Sequence, residues 1–224
     1  MFPSKPDDEF KAYAYEQFSR IGKALSSPQR LIILNILCQG EHTVEALARY
    51  SGQSVANTSR HLQHLKSVNL VKLKRSGKNI FYSIRDEAAC NFYMSLKEFA
   101  SNQLGEIRTT LEEISSSPSR SHSVSREELL KMVTRGNAVV IDVRPEEEFQ
   151  QAHLPGAISI PLEELEKRIE ELPRDKTIVA YCRGRYCILA DKAVEVLLKK
   201  GYRAGRIDES VIEWKNAGLP IEES

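Results

Sequence analysis

The chain has 224 residues, with 32 Lys plus Arg against 31 Asp plus Glu and a formal net charge of +1. That length predicts two small domains, and so balanced a charge points to no partner by itself. The opening Met1-Phe2-Pro3-Ser4-Lys5-Pro6 lacks the apolar core of a signal peptide, and no segment reaches transmembrane length. These features argue against a membrane partner. They predict a cytoplasmic protein whose 4 cysteines stay mostly reduced.

Phe10, Ala14, Phe18, Ile21 and Leu25 recur at helical spacing and predict a first helix. Ser27-Pro28 opens a second over 29–38, with proline near its first turn. Thr43 caps a third over 44–50, which Gly52 breaks, and Ser54 caps a fourth over 55–68. Residues 70–74 and 80–84 are short strands around the turn Ser76-Gly77-Lys78-Asn79, a β-hairpin. Residues 87–114 read as one long helix. Its broad apolar face (Ala89, Phe92, Tyr93, Leu96, Phe99, Leu104, Ile107, Leu111) is more than so small a domain can cover. Pairing with a second copy is expected. Residues 115–123 are serine-rich with a proline and read as a flexible linker. The expected organisation is a DNA-binding and dimerisation domain over 1–114, the linker over 115–123, and a thiol domain over 124–224.

The basic residues are unevenly spread. From Ala46 to Arg85 there is no Asp or Glu, while Arg49, Arg60, Lys66, Lys72, Lys74, Arg75, Lys78 and Arg85 are all basic. A one-signed stretch in a near-neutral chain is the footprint of a polyanion partner. Helix, tight turn, helix and hairpin together describe a mostly α winged helix-turn-helix. Its fourth helix offers Ser54, Asn57, Thr58, Ser59, Arg60, His61, Gln63 and His64 to base edges and phosphates, with Leu62 and Leu65 turned to the core. Arg75 and Lys78 sit at the hairpin tip.

Three segments carry a resemblance: Leu25-Ser26-Ser27-Pro28-Gln29-Arg30-Leu31, Val44-Glu45-Ala46-Leu47-Ala48, and the run from Ser54 through Ser59-Arg60-His61-Leu62 to Leu65. About the first half of the chain resembles the ArsR/SmtB family of repressors. The resemblance implies a homodimer, joined through its first and last helices, on an inverted-repeat operator in double-stranded DNA. The family's arsenic-type cysteine pair belongs where this chain has Thr43 and Glu45, and its zinc-type site needs histidines that 87–114 lack. No metal ligand set is assigned. His61 and His64, one helical turn apart, read as DNA-facing side chains. Cys38 and Cys90, a redox pair in some sulfur-sensing relatives, read here as small buried hydrophobes.

The second half alternates strand and helix and predicts an α/β domain with a mostly parallel sheet. Ser125-Arg126-Glu127-Glu128 looks like a capping box for a helix through Val133. Residues 138–144 read as a buried strand, 146–149 as a short helix and 162–172 as a helix. The apolar run 177–181 then delivers Cys182 to a short loop, Cys182-Arg183-Gly184-Arg185-Tyr186-Cys187, before an apolar helix from Ile188. Loop N–H groups and the helix dipole favour thiolate over thiol at Cys182. Arg183 and Arg185 are either substrate attractors or solvated charges. Asp142 and Arg144 are either catalytic or an ion pair bracing the strand end. Cys187 either attacks a persulfide on Cys182 or is a small residue at the helix start.

Ile141-Asp142-Val143-Arg144, Glu148-Phe149, His153-Leu154-Pro155-Gly156-Ala157, Pro161, the Cys182 loop, Trp214 and Gly218-Leu219-Pro220 together resemble a single rhodanese domain over about residues 123–222. The resemblance implies sulfur transfer through a persulfide on Cys182. The N–H groups of Arg183, Gly184, Arg185, Tyr186 and Cys187 would stabilise the anionic terminal sulfur. It implies thiosulfate, polysulfide or persulfide as donor and no cofactor. Phosphatases and arsenate reductases also place cysteine in such a loop, but set arginine after five further residues. Here that position is Ile188. Ser210 or Glu209 stands where related domains use glycine before the tryptophan helix, which predicts an altered pocket rim. The reading is a transcriptional regulator, a repressor, whose rhodanese domain senses or transfers reactive sulfur. The alternative is an active sulfurtransferase whose DNA-binding half is autoregulatory or localising.

Overall fold

The computed structural model describes residues 7–115 and 122–223. The chain divides into two compact units, Met1–Leu96 and Lys97–Ser224. Among the described residues no helix is long and apolar enough to cross a membrane. Most of the expected linker, residues 116–121, lies outside the described residues.

The first unit begins with α1 (Asp7–Leu25) and α2 (Pro28–Gln39). Arg30 of the Ser-Pro-Gln-Arg motif closes α1, donating to the carbonyls of Ala24 and Lys23, the latter at 2.7 Å. A guanidinium there satisfies carbonyls the helix end leaves open. Ile33, Leu34, Ile36 and Leu37 of α2 are buried, so this helix runs through the core. α3 (Val44–Ser51) and α4 (Val55–Ser67) start at the expected caps: Thr43 accepts from the Ala46 N–H, and Ser54 from the Asn57 N–H. Leu47, Leu62 and Leu65 seal them onto α2. The wing is β2 (Val71–Ser76) against β3 (Asn79–Ile84), antiparallel, with Leu73 opposite Tyr82. β1 (His42–Thr43), which periodicity does not reveal, adds to β3 and gives the order β1-β3-β2.

The predicted long helix is two: α5 (Glu87–Gln103) and α6 (Gly105–Ser115). The break falls at Leu104, before a residue of low helix propensity. Just upstream, Ser101 Oγ bonds back to the Lys97 carbonyl at 2.7 Å, which bends helices. Cys38 and Cys90 are both buried, as expected of small hydrophobes.

The second unit is a parallel four-stranded sheet of order β5-β4-β6-β7, formed by β4 (Ala138–Asp142), β5 (Ile158–Ser159), β6 (Thr177–Tyr181) and β7 (Ala204–Arg206). Alternation sends Ile141, Ile178 and Ala180 to one face, under α9 (Leu165–Arg168) and α10 (Leu189–Lys199). It sends Val140, Val179 and Tyr181 to the other, under α7 (Arg126–Thr134) and α11 (Val211–Asn216). α8 (Glu146–Gln151) follows β4. Only half the expected box at Ser125 forms: its hydroxyl accepts from the Glu128 N–H. The helix predicted over 162–172 shrinks to α9 and a 3-10 turn, Ile169–Glu171. Its entry makes tight three-residue bonds, Glu164 N–H to the Pro161 carbonyl at 2.8 Å among them, and Pro173 follows its end.

His122 and Ser123, counted with the linker from sequence, already pair with β7. Ser123 bridges Arg206 in parallel, and the Arg206 N–H donates to the His122 carbonyl at 3.0 Å. This entry strand explains Gly205: a Cβ there would lie 2.8 Å from both the His122 oxygen and Val124 Cγ2.

Candidate functional site

The DNA-facing side of the first unit follows from the helical period. Residues 58, 62 and 65 form the inner face of α4, and Thr58, Leu62 and Leu65 are all 0% exposed. Thr58 is therefore not a DNA contact, which corrects the sequence expectation. It lies four residues before Leu62, and that spacing was the available signal. Ser54, Asn57, Arg60, Gln63 and His64 are exposed, and Ser59 and His61 half-buried. Gln63 also ties α4 to the wing, donating to the Tyr82 hydroxyl at 3.1 Å. Burial first, then Arg30, Arg60 and His64, holds His61 below the usual histidine range, so it adds no charge near neutrality. All eight basic residues between 46 and 85 are exposed, Arg75 and Lys78 at the wing tip among them.

In the second unit, Cys182 continues the Ile178–Ala180 face of β6 and so points beneath α10. It is 1% exposed, whereas Cys187 is half-buried. The Cys187 N–H donates to the Gly184 carbonyl at 3.0 Å, curling the loop, and Cys182 Sγ lies 3.5 Å from the Cys187 carbonyl. Burial opposes the thiolate expected at Cys182, which the loop N–H groups and helix dipole favour. Burial pushes the Cys182 thiol well up, and the neighbouring Cys187 thiol adds to this. Cys187 is brought down to about 6, first by the neighbouring Cys182 thiol and then, against burial, by nearby backbone N–H groups. The Cys187 N–H, expected to face the substrate sulfur, is spent on Gly184.

Two buried ion systems fix the loop. Asp142 and Arg144, both 0% exposed, form a two-pronged pair with Nε–Oδ distances of 3.0 Å and Nη2–Oδ2 of 2.6 Å. Arg144 also donates to the Ala152 carbonyl at 2.7 Å, and Glu148 lies 3.8 Å away. Glu148 in turn holds Arg183, whose Nε lies 3.1 and 3.0 Å from its oxygens. Of the readings left open, Asp142 and Arg144 thus brace the strand end. Arg183 is not a solvated charge, because its guanidinium is buried in this chain of charges. On the other side, buried Arg206 pairs with Asp191 at the start of α10 and with Asp208 at 2.7 Å. Asp208 also reaches Arg185 at 3.7 Å. Arg185 and Tyr186 are exposed on the loop rim. Glu148, Asp191, Arg206 and Asp208 were missed as site residues; for Asp191 the signal was a charge in an otherwise apolar helix start, while Glu148 and Asp208 lie in polar segments that give none.

The rim expected to need glycine does not. Ser210 is extended (φ −92°, ψ 171°) and caps α11 in a full capping box with Glu213. That same Glu213 limits the cysteine loop. Gly184 has φ +94°, and a Cβ there would lie 2.8 Å from Glu213 Oε2. Gly184→Ala is expected to cost about 1–3 kcal/mol in backbone strain and to displace the loop. Slower thiol alkylation together with a lowered unfolding midpoint would bear this out, whereas unchanged values of both would refute it.

Residues 125–217 match the rhodanese-like domain family, and residues 27–72 the bacterial regulatory protein arsR family. The HTH-type transcriptional regulator Rv0324 of Mycobacterium tuberculosis is 40% identical over 213 residues, covering 95% of this chain and 93% of that protein. The thiosulfate sulfurtransferase PspE of Escherichia coli is 45% identical over 65 residues, 28% of this chain and 60% of its own. A solved structure of the homodimeric winged helix-turn-helix DNA-binding domain Mb0332 from Mycobacterium bovis aligns at 36% identity with a TM-score of 0.42, over 46% of this chain and 94% of that one. With an arsR-type segment in front, a rhodanese-like domain behind and a regulator matching nearly its whole length, this chain belongs to the ArsR family of HTH-type transcriptional regulators and carries a C-terminal rhodanese-like domain.

Proposed function

We propose that this regulator is a homodimeric repressor of an inverted-repeat operator in double-stranded DNA, and that thiosulfate, polysulfide or persulfide modifies it through the Cys182 loop. ArsR-family regulators bind DNA, and the exposed, one-signed surface of α4 and the wing suits phosphate and base contacts. Phe10, Tyr15 and Phe18 of α1 and Phe92 of α5 are exposed, which favours a second copy covering them. The observation that carries the sulfur reading is the curled loop between β6 and α10, with Cys182 at its start and its Sγ 3.5 Å from the carbonyl of a second cysteine, Cys187. Sulfur addition there changes the charge and size of the loop. Linked to DNA binding, such a change is typically worth about 1–3 kcal/mol of coupling.

The test is operator binding by fluorescence anisotropy, before and after polysulfide, for wild type and Cys182→Ser. Weakening by about tenfold in wild type alone, some 1.4 kcal/mol, is the expected result. Identical binding by both proteins under all conditions would remove the switch. Turnover of thiosulfate with cyanide, lost in Cys182→Ser, would then favour the sulfurtransferase reading, to which the similarity to PspE lends support.

A further inference from the structure

The second unit begins at Lys97, inside α5, so the last turns of that helix belong with the rhodanese-like domain. Two side chains of those turns reach the rim of the cysteine loop. Lys97 Nζ donates to Glu213 Oε1 at 2.9 Å, and the pair is mostly covered, its side chains 17% and 25% exposed. The other oxygen of Glu213 accepts from the Ser210 N–H at 2.7 Å, and it is the atom that a Cβ on Gly184 would meet. Ser101 Oγ bonds the Tyr186 hydroxyl. The one proton of Ser101 is already spent on the Lys97 carbonyl, so Tyr186 is the donor. Residues 97 and 101 lie one turn apart on one face of α5. That face touches the loop through Tyr186 and abuts it through Glu213. Glu213 completes its capping box with Ser210 without help from Lys97, so the ion pair is not needed to form α11.

We propose that Lys97 and Ser101 form a latch that reads the state of the cysteine loop. Closed on the unmodified loop, it holds α5 in the arrangement that binds DNA, and sulfur added to Cys182 opens it. The inference rests on the sulfur reading above and names how that site is linked to DNA binding. In the covalent step the Cys182 thiolate attacks the outer sulfur of a hydropolysulfide. The S–S bond breaks, the shortened polysulfide leaves with the electron pair and takes up the proton Cys182 has lost, and Cys182–S–SH remains. One sulfur atom is transferred, and no further oxidant or reductant is needed. Cys182 is 1% exposed beneath α10, and Gly184 is buried against Glu213. Interiors are close-packed, so an atom added there displaces the loop. Gly184 and Tyr186, the loop residues that meet Glu213 and Ser101, move with it. α5 is one helix from Glu87 to Gln103, with Cys90 and Tyr93 buried upstream of the latch. A shift at 97–101 is therefore carried along the helix, and packed helices answer such shifts in discrete steps.

The full chain is treated with polysulfide. Sulfur on Cys182 is followed by alkylation and peptide mass, and operator affinity by anisotropy. Wild type is expected to gain sulfur on Cys182, to lose about tenfold in affinity, and to exchange the amide hydrogens of 97–103 faster. Lys97→Met/Ser101→Ala is expected to take up sulfur at the wild-type rate, because the cysteine loop itself is intact. Its affinity should be about tenfold lower from the start and change by less than about twofold on treatment, since the latch is already open. Glu98→Ala, exposed beside Lys97, should behave as wild type. Four results would each overturn the latch and leave the sulfur reading standing: full starting affinity in the double variant, a full response retained by it, slower sulfur uptake in it, or unchanged exchange over 97–103 in modified wild type. Wild type whose affinity does not change on treatment would overturn both.

Discussion

Asp142→Ala is expected to destabilise the rhodanese-like domain by about 3–5 kcal/mol, the usual cost of stripping one partner from a buried ion pair. Asp142 accepts from the Arg144 backbone at 2.9 Å and from its guanidinium at 3.0 and 2.6 Å. The alanine variant leaves a permanently charged guanidinium in the interior. It still meets the Ala152 carbonyl at 2.7 Å, Glu148 at 3.8 Å and the face of the Tyr181 ring at 5.6 Å. Glu148 also holds Arg183, so the loss should travel to the cysteine loop and slow alkylation of its thiols. Urea unfolding followed by tryptophan fluorescence reads this domain alone, because Trp214 is the chain's 1 tryptophan and is buried within it. The double variant Asp142→Leu/Arg144→Met should recover most of the loss, since an apolar pair leaves no stranded charge. A loss below about 1 kcal/mol in the single variant, the range of an exposed pair, would contradict a buried bracing role.

Asn57→Ala/Arg60→Ala is expected to weaken specific DNA binding by about 2–6 kcal/mol, taking about 1–3 kcal/mol per base contact. Both residues are exposed on the outer face of α4, one turn apart, and neither supports the core. Stability should hold while affinity falls. Thr58→Val is the matched control. Its hydroxyl is buried with no hydrogen-bond partner, so the valine should leave DNA affinity unchanged and stability equal or higher. Anisotropy on a duplex selected from a random pool, at two salt concentrations, separates base from phosphate contributions. Full affinity in the double variant, or lost affinity in folded Thr58→Val, would mean that another face of the domain meets DNA.

Much of the architecture was legible in the chain. Thr43 and Ser54 before apolar periodic runs marked α3 and α4, and the Ser76–Asn79 turn marked the wing. The run ending in Cys182 marked β6 and its loop. These features are local: a cap, a turn and a period act within a few residues. Where local signals were weak, the reading slipped. Leu104-Gly105 interrupts a continuous apolar face without a proline to announce it, and 162–172 has helical periodicity but a tight 3-10 course. β1 is a 2-residue strand that exists only because β3 passes beside it.

The chemistry of the site divides the same way. The order of residues was enough to reveal a regulator of DNA carrying a cysteine loop at the end of a parallel strand, because family motifs and hydrophobic patterns are written along the chain. It also placed two thiols in that loop. How deeply each thiol is buried was decided by packing alone. That depends on Cys182 turning under α10 while Cys187 stays half-buried, and a pKa is set by burial and neighbours in space. Likewise it took the folded chain to bring Glu148 to Arg183, from 35 positions away, and Arg206 to Asp191, from 15, turning loop arginines and strand charges into braces. Sequence order reveals which residues are present, whereas their partners follow from strand pairing and helix packing between distant segments.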